Sequence, residues 1–293
     1  MKKFLAACLA LALILSGCGV AEVDITNTPP SPFTADIAPT PEPTPAPTPS
    51  PEPGDMVSIV DIIPDIYLDV RYATENNFTH QRIYDSAEVY LRYSTAVKLA
   101  GVQKELRELG YSLCVWDGWR PLAAQFALWR ACPDATYVSN PFNGLSGHCR
   151  GNTVDITLVT LDGAPVEMPT DFDDFTAMAD RDYSDVDAAA AERARLFERV
   201  MGAAGFTGYS AEWWHYTDTD SYDICESLTE LPEAVLAGET ELRDAPDENA
   251  GIIAVLQANS EVYELDRVGD WLLVRSDQGY GYVKVNRTLN NTH

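Results

Sequence analysis

The sequence predicts an α+β domain over residues 58–232, followed by a small all-β domain over residues 238–289. Segments with the 3.6-residue period of amphipathic helices stand beside segments with the two-residue period of strands, without the strict alternation of a parallel βαβ fold. Beyond Pro232 only short apolar runs occur, broken by Gly and Asp. A chain of 293 residues that is 46% hydrophobic and 10% aromatic has enough apolar surface to bury a core of that size.

From the N-terminus, Lys2 and Lys3 precede an apolar stretch over residues 4–15, the length of a signal-peptide core and too short to span a bilayer. It ends in Leu15-Ser16-Gly17-Cys18, which resembles the lipobox of bacterial lipoproteins. That resemblance implies cleavage after residue 17, lipid on Cys18, and a protein that is exported and held at the cell membrane facing the envelope or exterior. Residues 18–57 read as the lipidated N-terminus and a linker. Eleven of the 19 prolines fall in residues 29–53, with no Lys or Arg, a composition that favours extended polyproline II over a packed core. With 45 acidic against 20 basic residues, the net charge of −25 repels a phosphate backbone, which argues against nucleic acid as a partner.

In the folded part, Ile59-Val60-Asp61-Ile62-Ile63 and Leu68-Asp69-Val70-Arg71-Tyr72 read as short strands. Ser94 is placed to cap a helix whose Leu99, Val102, Leu106 and Leu109 recur at helical spacing until Gly110 stops it. A strand from Tyr111 to Trp116 follows. Pro121 suits the first position of a helix carrying Leu122, Phe126 and Trp129, so Arg120 falls at a strand-to-helix junction. Ser184 and Asp187 resemble a capping box ahead of a helix whose buried stripe is Leu196, Phe197, Val200, Met201 and Ala204.

Two segments concentrate the chemistry. In Ser146-Gly147-His148-Cys149-Arg150-Gly151-Asn152-Thr153-Val154-Asp155-Ile156, the alternation from Thr153 onward puts Asp155 on the face opposite Val154 and Ile156. His148 lies at odd separation from Asp155, and Gly151 supplies the turn that brings the two together. In Glu212-Trp213-Trp214-His215, a separation of three places Glu212 and His215 on one face of a helical turn but not of a strand, so a turn-like backbone is expected. Of the four histidines, His293 ends the chain. His148, Asp155 and His215 then form a candidate ligand set of two imidazoles and a carboxylate, with Glu212 left over, as a catalytic Zn²⁺ with an open position requires. Spacing alone leaves zinc ligation and structurally satisfied histidines both open.

These residues resemble a known family. Ser-x-His-x-Arg-Gly-x-x-x-Asp, then Glu-Trp-Trp-His, preceded by Asp117-Gly118-Trp119-Arg120-Pro121 and Asp69-Val70-Arg71-Tyr72-Ala73-Thr74, look like the D-alanyl-D-alanine dipeptidases, zinc enzymes of the D-Ala-D-Ala metallopeptidase group. The resemblance covers about residues 58–230 and implies a mixed or antiparallel sheet flanked by helices. It further implies one Zn²⁺ per chain on His148, Asp155 and His215. Glu212 would be the general base toward the metal-bound water, and Arg120 the stabiliser of the oxyanion. Ser146 would hold the C-terminal carboxylate of the substrate and Asp173 its ammonium. The chain departs from the family pattern with His80 for glycine, Thr153 for alanine and Cys149 for serine. Cys114, Cys132, Cys149 and Cys225 are compatible with one or two disulfides or with free thiols.

Residues 238–289 carry Glu241-Leu242-Arg243, Val262-Tyr263-Glu264-Leu265, Trp271-Leu272-Leu273-Val274 and Gly279-Tyr280-Gly281-Tyr282-Val283. They look like a bacterial SH3-like barrel, which implies peptidoglycan as a partner. The expected function is zinc-dependent hydrolysis of D-Ala-D-Ala at the cell envelope. A D,D-carboxypeptidase acting on stem peptides and a non-catalytic wall-binding lipoprotein remain as alternatives.

Overall fold

The computed structural model describes residues 50–290, so the expected lipidation site Cys18 and nearly all of the Pro-rich segment lie outside the described residues. The chain first lays down β1 (Met56–Ser58), α1 (Ile59–Ile62), β2 (Tyr67–Leu68), β3 (Tyr90–Arg92) and α2 (Tyr93–Glu108). It continues with β4 (Tyr111–Asp117), α3 (Leu122–Ala131), β5 (Thr153–Thr160), α4 (Ala188–Ala203), β6 (Phe206–Gly208) and β7 (His215–Asp218). A five-stranded sheet of order β2-β4-β5-β7-β6 results, parallel between β2 and β4 and antiparallel elsewhere, as the mixed-sheet expectation required. β1 pairs with β3 in a separate ribbon, so the linker drawn through residue 57 already contributes Met56 and Val57 to the fold. One apolar cluster joins α2 (Leu99, Val102, Leu106), α4 (Phe197, Val200, Met201) and the sheet (Leu113, Val115, Val154, Ile156).

Four local expectations are corrected. The run at Ile59 is helical, not extended: Ile59 and Ile63 are buried four residues apart while Val60 is exposed, and Ile63 N–H donates to the Ile59 carbonyl (2.8 Å). The strand expected over 68–72 stops at Leu68 and gives way to a 3₁₀ turn, Arg71–Ala73, because Arg71 folds back onto Asp69 (2.7 Å) and reaches Asp171 (3.0 Å). Ser94 does not cap α2. Arg92 holds that position, and the Ser94 hydroxyl pairs with the Tyr222 hydroxyl (2.5 Å). Before α4, Asp187 is itself the cap, its carboxylate accepting from Ala189 and Ala190 N–H, which leaves Ser184 outside the helix start. Other signals hold: Gly110 ends α2 with φ 89°, a left-handed conformation that glycine adopts without a Cβ penalty, and α3 starts directly after Pro121.

The second sheet contains β8 (Glu233–Leu236), β9 (Thr240–Arg243), β10 (Ile252–Leu256), β11 (Glu261–Val268), β12 (Trp271–Ser276), β13 (Gly279–Lys284) and β14 (Thr288–Asn290). Its order is β10-β9-β13-β12-β11-β8-β14, antiparallel throughout. Leu236, Leu242, Leu256, Val262, Leu272, Val274 and Val283, from six of its strands, converge on one core, so the sheet curls around them. It begins at Glu233, ahead of the boundary drawn at 238, because β8 pairs with both β11 and β14. Among the described residues no helix is long and apolar enough to cross a membrane.

The cap assignment has a direct test. Asp187→Ala is expected to lower stability by about 1 kcal/mol in urea denaturation, the ordinary cost of losing a helix N-cap, whereas Ser184→Ala is expected to stay within about 0.5 kcal/mol of the parent.

Candidate active site

The site is built where β4, β5 and β7 run side by side. Asp155 on β5 is the cross-strand partner of His215, the first residue of β7, and on its other side of Asp117, the last residue of β4. An even register would have set Trp116 opposite Asp155. A bulge between Val115 and Asp117 inserts one residue, so Asp117 reaches the face that Asp155 and His215 share. His148 enters from a 3₁₀ turn, Gly147–Arg150, closed by Gly151 in the left-handed conformation (φ 77°), the turn expected from the sequence. Glu212 arrives on the turn before β7, where His215 N–H points to the Glu212 carbonyl (3.4 Å). The turn-like backbone expected for Glu212-Trp213-Trp214-His215 is observed. Its two tryptophans are buried in the core.

The three candidate ligand residues bring their donor atoms within 4.8 Å of one another. His148 Nδ1 lies 2.8 Å from the Gly118 carbonyl, which can only accept, so Nδ1 carries a proton and Nε2 is the nitrogen that faces the site. Nε2 is 3.2 Å from Asp155 Oδ2 and 3.4 Å from His215 Nδ1. Asp155 Oδ1 lies 3.0 Å from His215 Nδ1, yet it is buried without a hydrogen bond of acceptable geometry. A buried carboxylate with one orphaned oxygen, set between two imidazoles, is costly unless a cation lies among them, and two nitrogens with one carboxylate fit a tetrahedral divalent metal with a fourth position open.

Asp117 is fully buried and saturated. Its Oδ1 accepts from the Tyr84 hydroxyl (2.7 Å) and Gly118 N–H (2.9 Å), and its Oδ2 from Arg120 Nε (3.2 Å) and Nη2 (2.7 Å). Arg120, 7% exposed, also donates from Nη1 to Gln125 (2.9 Å), which in turn donates to the Ser139 carbonyl (2.7 Å). Burial alone would lower the guanidinium pKa, and Asp117 reverses this, raising it well above its ordinary value. Three of its five N–H groups are thereby engaged, and two remain for a ligand.

Arg120, Ser146, His148, Asp155, Asp173, Glu212 and His215 all line one cavity of about 320 Å³. The structure thus brings together every site residue singled out from the sequence among the described residues, Cys18 lying outside them. Ser146 Oγ accepts from His148 N–H (3.3 Å), which leaves its own proton to donate. Asp173 sits at φ 54°, and its Oδ2 accepts from the Tyr72 hydroxyl (3.0 Å). Desolvation, with the nearby charge of Asp155, pushes the Asp173 carboxyl up to about 8. The same two causes raise Glu212, whose Oε2 is 3.5 Å from His215 Nδ1. Three carboxylates in so small a space call for cationic partners.

Comparison with known proteins agrees with this geometry. Residues 53–231 match the D-ala-D-ala dipeptidase family. The chain belongs to this family. The family is one of metallopeptidases, so the chain is an enzyme that cleaves peptide bonds. Residues 238–290 match the bacterial SH3 domain. The chain is 33% identical over 162 residues to the D-alanyl-D-alanine dipeptidase of Escherichia coli, covering 55% of this chain and 83% of that protein. It is 31% identical to the D-alanyl-D-alanine dipeptidase of Streptomyces coelicolor (56% and 91%) and 30% identical to that of Enterococcus faecalis (53% and 87%).

The three residues expected to depart from the family pattern have distinct local settings. His80 lies at φ 51°, where glycine would be at ease. Thr153 bonds across the sheet to Thr217 (3.0 Å), and its hydroxyl fills the space a Cβ on Gly147 would need. Cys149 is turned away from the ligand set into an apolar cluster, and burial pushes its thiol up to about 12, as it does for Cys114. Among the described residues all four cysteines are free.

Sequence reasoning missed the roles of Asp117, Tyr72 and Tyr84. The available signal for Asp117 was an acid three residues before Arg120 at a strand end. Asp117→Asn is expected to destabilise the protein by about 3–5 kcal/mol in urea denaturation, since it strands the buried Arg120 charge.

Proposed function

We propose that this chain is a zinc peptidase that hydrolyses the dipeptide D-Ala-D-Ala outside the cell membrane. The observation that carries the reading is the convergence of His148, Asp155 and His215 with Glu212 and Arg120 in one small cavity. His148, Asp155 and His215 would hold a zinc ion, which would supply Lewis acidity to acidify water and polarise the scissile carbonyl.

The chain's own residues do the rest. Glu212, beside His215 but outside the ligand set, takes a proton from the attacking water and returns it to the departing amine. Arg120 directs its two remaining N–H groups at the developing oxyanion, held in place by Asp117 and Gln125 so that no reorganisation is needed. The Ser146 hydroxyl donates to the substrate carboxylate. Asp173, braced by Tyr72, accepts from the substrate ammonium. A carboxylate pointed at a free amino group, in a cavity of about 320 Å³, favours a dipeptide over a longer N-blocked stem peptide. Export is supported by the basic start, the apolar segment and the lipobox-like sequence at Cys18. An enzyme so placed would work on envelope peptides rather than on a cytoplasmic precursor.

Incubation with D-Ala-D-Ala is expected to release D-alanine, while a stem pentapeptide stays intact; cleavage of the pentapeptide alone would identify a D,D-carboxypeptidase instead. Glu212→Gln is expected to keep about one zinc per chain by elemental analysis and to lose about 10²–10⁴-fold in kcat, whereas a non-catalytic wall-binding protein would hold no zinc after dialysis.

A further inference from the structure

The C-terminal sheet buries side chains on both of its faces. Along β12 and β13 the alternation sends Leu272, Val274 and Val283 into the domain's own core. Leu273 and Tyr282, directly paired across the two strands, point the other way. They are buried with Leu122, Phe126 and Cys149 of the peptidase domain in a second cluster whose five members are at most 1% exposed. This is the packing of a protein interior, not the loose contact of a module swinging on a linker.

The peptidase residues in that cluster are those that carry the site. Cys149 lies in the turn between His148 and Arg150. Leu122 opens α3, two residues after Arg120, and Phe126 lies one residue beyond the Gln125 that braces Arg120. Phe142 and Leu145 pack against the same cluster, and the loop they belong to presents Tyr137, Ser139 and Ser146 to the cavity.

A polar strap runs alongside. Cys225 N–H donates to the Cys149 carbonyl (2.8 Å), and the Cys225 carbonyl accepts from Trp119 Nε1 (2.8 Å). The Glu226 carbonyl accepts from Leu122 N–H (3.2 Å), while its carboxylate takes the Tyr280 hydroxyl (2.6 Å) and Arg275 (3.2 Å) of the C-terminal domain. Arg130 on α3 donates to the Tyr282 hydroxyl (2.8 Å). The ligand turn and the start of α3 are thus backed by apolar packing from the second domain and by hydrogen bonds from residues 225–226, a strap that Tyr280 and Arg275 of the second domain hold in turn through Glu226.

We infer that the C-terminal domain is a positioning element of the peptidase site, acting through Leu273 and Tyr282 on the turn that carries His148 and on the helix start beside Arg120. The inference rests on the zinc peptidase reading above. Groups behind a ligand set the orientation in which its lone pair meets the metal, so loosening them weakens binding without removing any ligand. The same slack displaces Arg120 and Ser146 from the reacting atoms.

The test uses the full chain and the variants Leu273→Ala and Leu273→Met, with circular dichroism to establish that each is folded at the assay temperature. Leu273→Ala is expected to lower zinc affinity by about 10–100-fold in chelator competition. It should also speed amide exchange across Gly147–Arg150 in the metal-free chain and reduce kcat more than it changes KM. Leu273→Met, which keeps the volume, is expected to restore all three readouts to near the parent. A folded Leu273→Ala with parental zinc affinity and amide exchange overturns the proposal. Should Leu273→Ala prove too unstable to assay, Leu273→Val carries the same expectation at smaller size, and parental values there overturn it equally. If the parent binds zinc but leaves D-Ala-D-Ala intact, the substrate reading fails, while zinc affinity and amide exchange still decide the positioning role.

Discussion

The peptidase site depends on one buried carboxylate. Asp117 has no contact with solvent and would be ruinous to fold if any of its lone pairs went unpaired. Tyr84, the Gly118 amide and two nitrogens of Arg120 meet that demand. Satisfying Asp117 therefore fixes Arg120, and the turn at Gly118 offers its carbonyl to His148 Nδ1. One acid thus orients the cation that faces the cavity, and the turn beside it fixes the orientation of a candidate ligand. The bulge at Trp116 makes this arrangement available, because it moves Asp117 into the row of Asp155 and His215.

Charge balance in the cavity follows from the same economy. Among the described residues that line the cavity, Asp155, Asp173 and Glu212 have Arg120 as the one permanent cation, and two of its five N–H groups are engaged by Asp117. Such a pocket favours cationic company, which a divalent metal or an ammonium group would provide. The overall acidity of the chain does not create this field. The carboxylates of the site are inward-facing groups on strand ends and turns, whereas most of the excess acid is spread over exposed positions.

The second domain shows how an accessory fold becomes part of an enzyme. Its own core would be complete without the peptidase domain, since Leu236, Leu242, Val262 and Leu272 fill it. Using the outer face of β12 and β13 as well gives the ligand turn a rigid backing. Cys149, which by its place beside His148 invited comparison with the candidate ligands, packs into that backing and faces away from them.

How much was legible in the sequence divides along physical lines. Asp155 could be placed on a polar strand face, His148 on a glycine-closed turn and Glu212 with His215 on another turn, because strand and turn geometry follow from the nearest few residues. Local signals also erred where tertiary contacts outweighed them: Ile59 and Ile63 are apolar enough for either element, and only their burial four residues apart made the segment from Ile59 to Ile62 a helical turn. Asp187 took the cap from Ser184 because the chain entered α4 three residues later than the motif suggested. Residue types and short spacings alone singled out His148, Asp155 and His215 as a candidate ligand set with Glu212 beside it, and separated the two domains; the expected roles of Glu212 and Arg120 came from the family resemblance. The role of Asp117, the bracing of Asp173 by Tyr72 and the clamp of Leu273 and Tyr282 behind His148 were decided only by the tertiary structure, since strand register and domain packing join residues up to more than a hundred positions apart, and no local spacing encodes them.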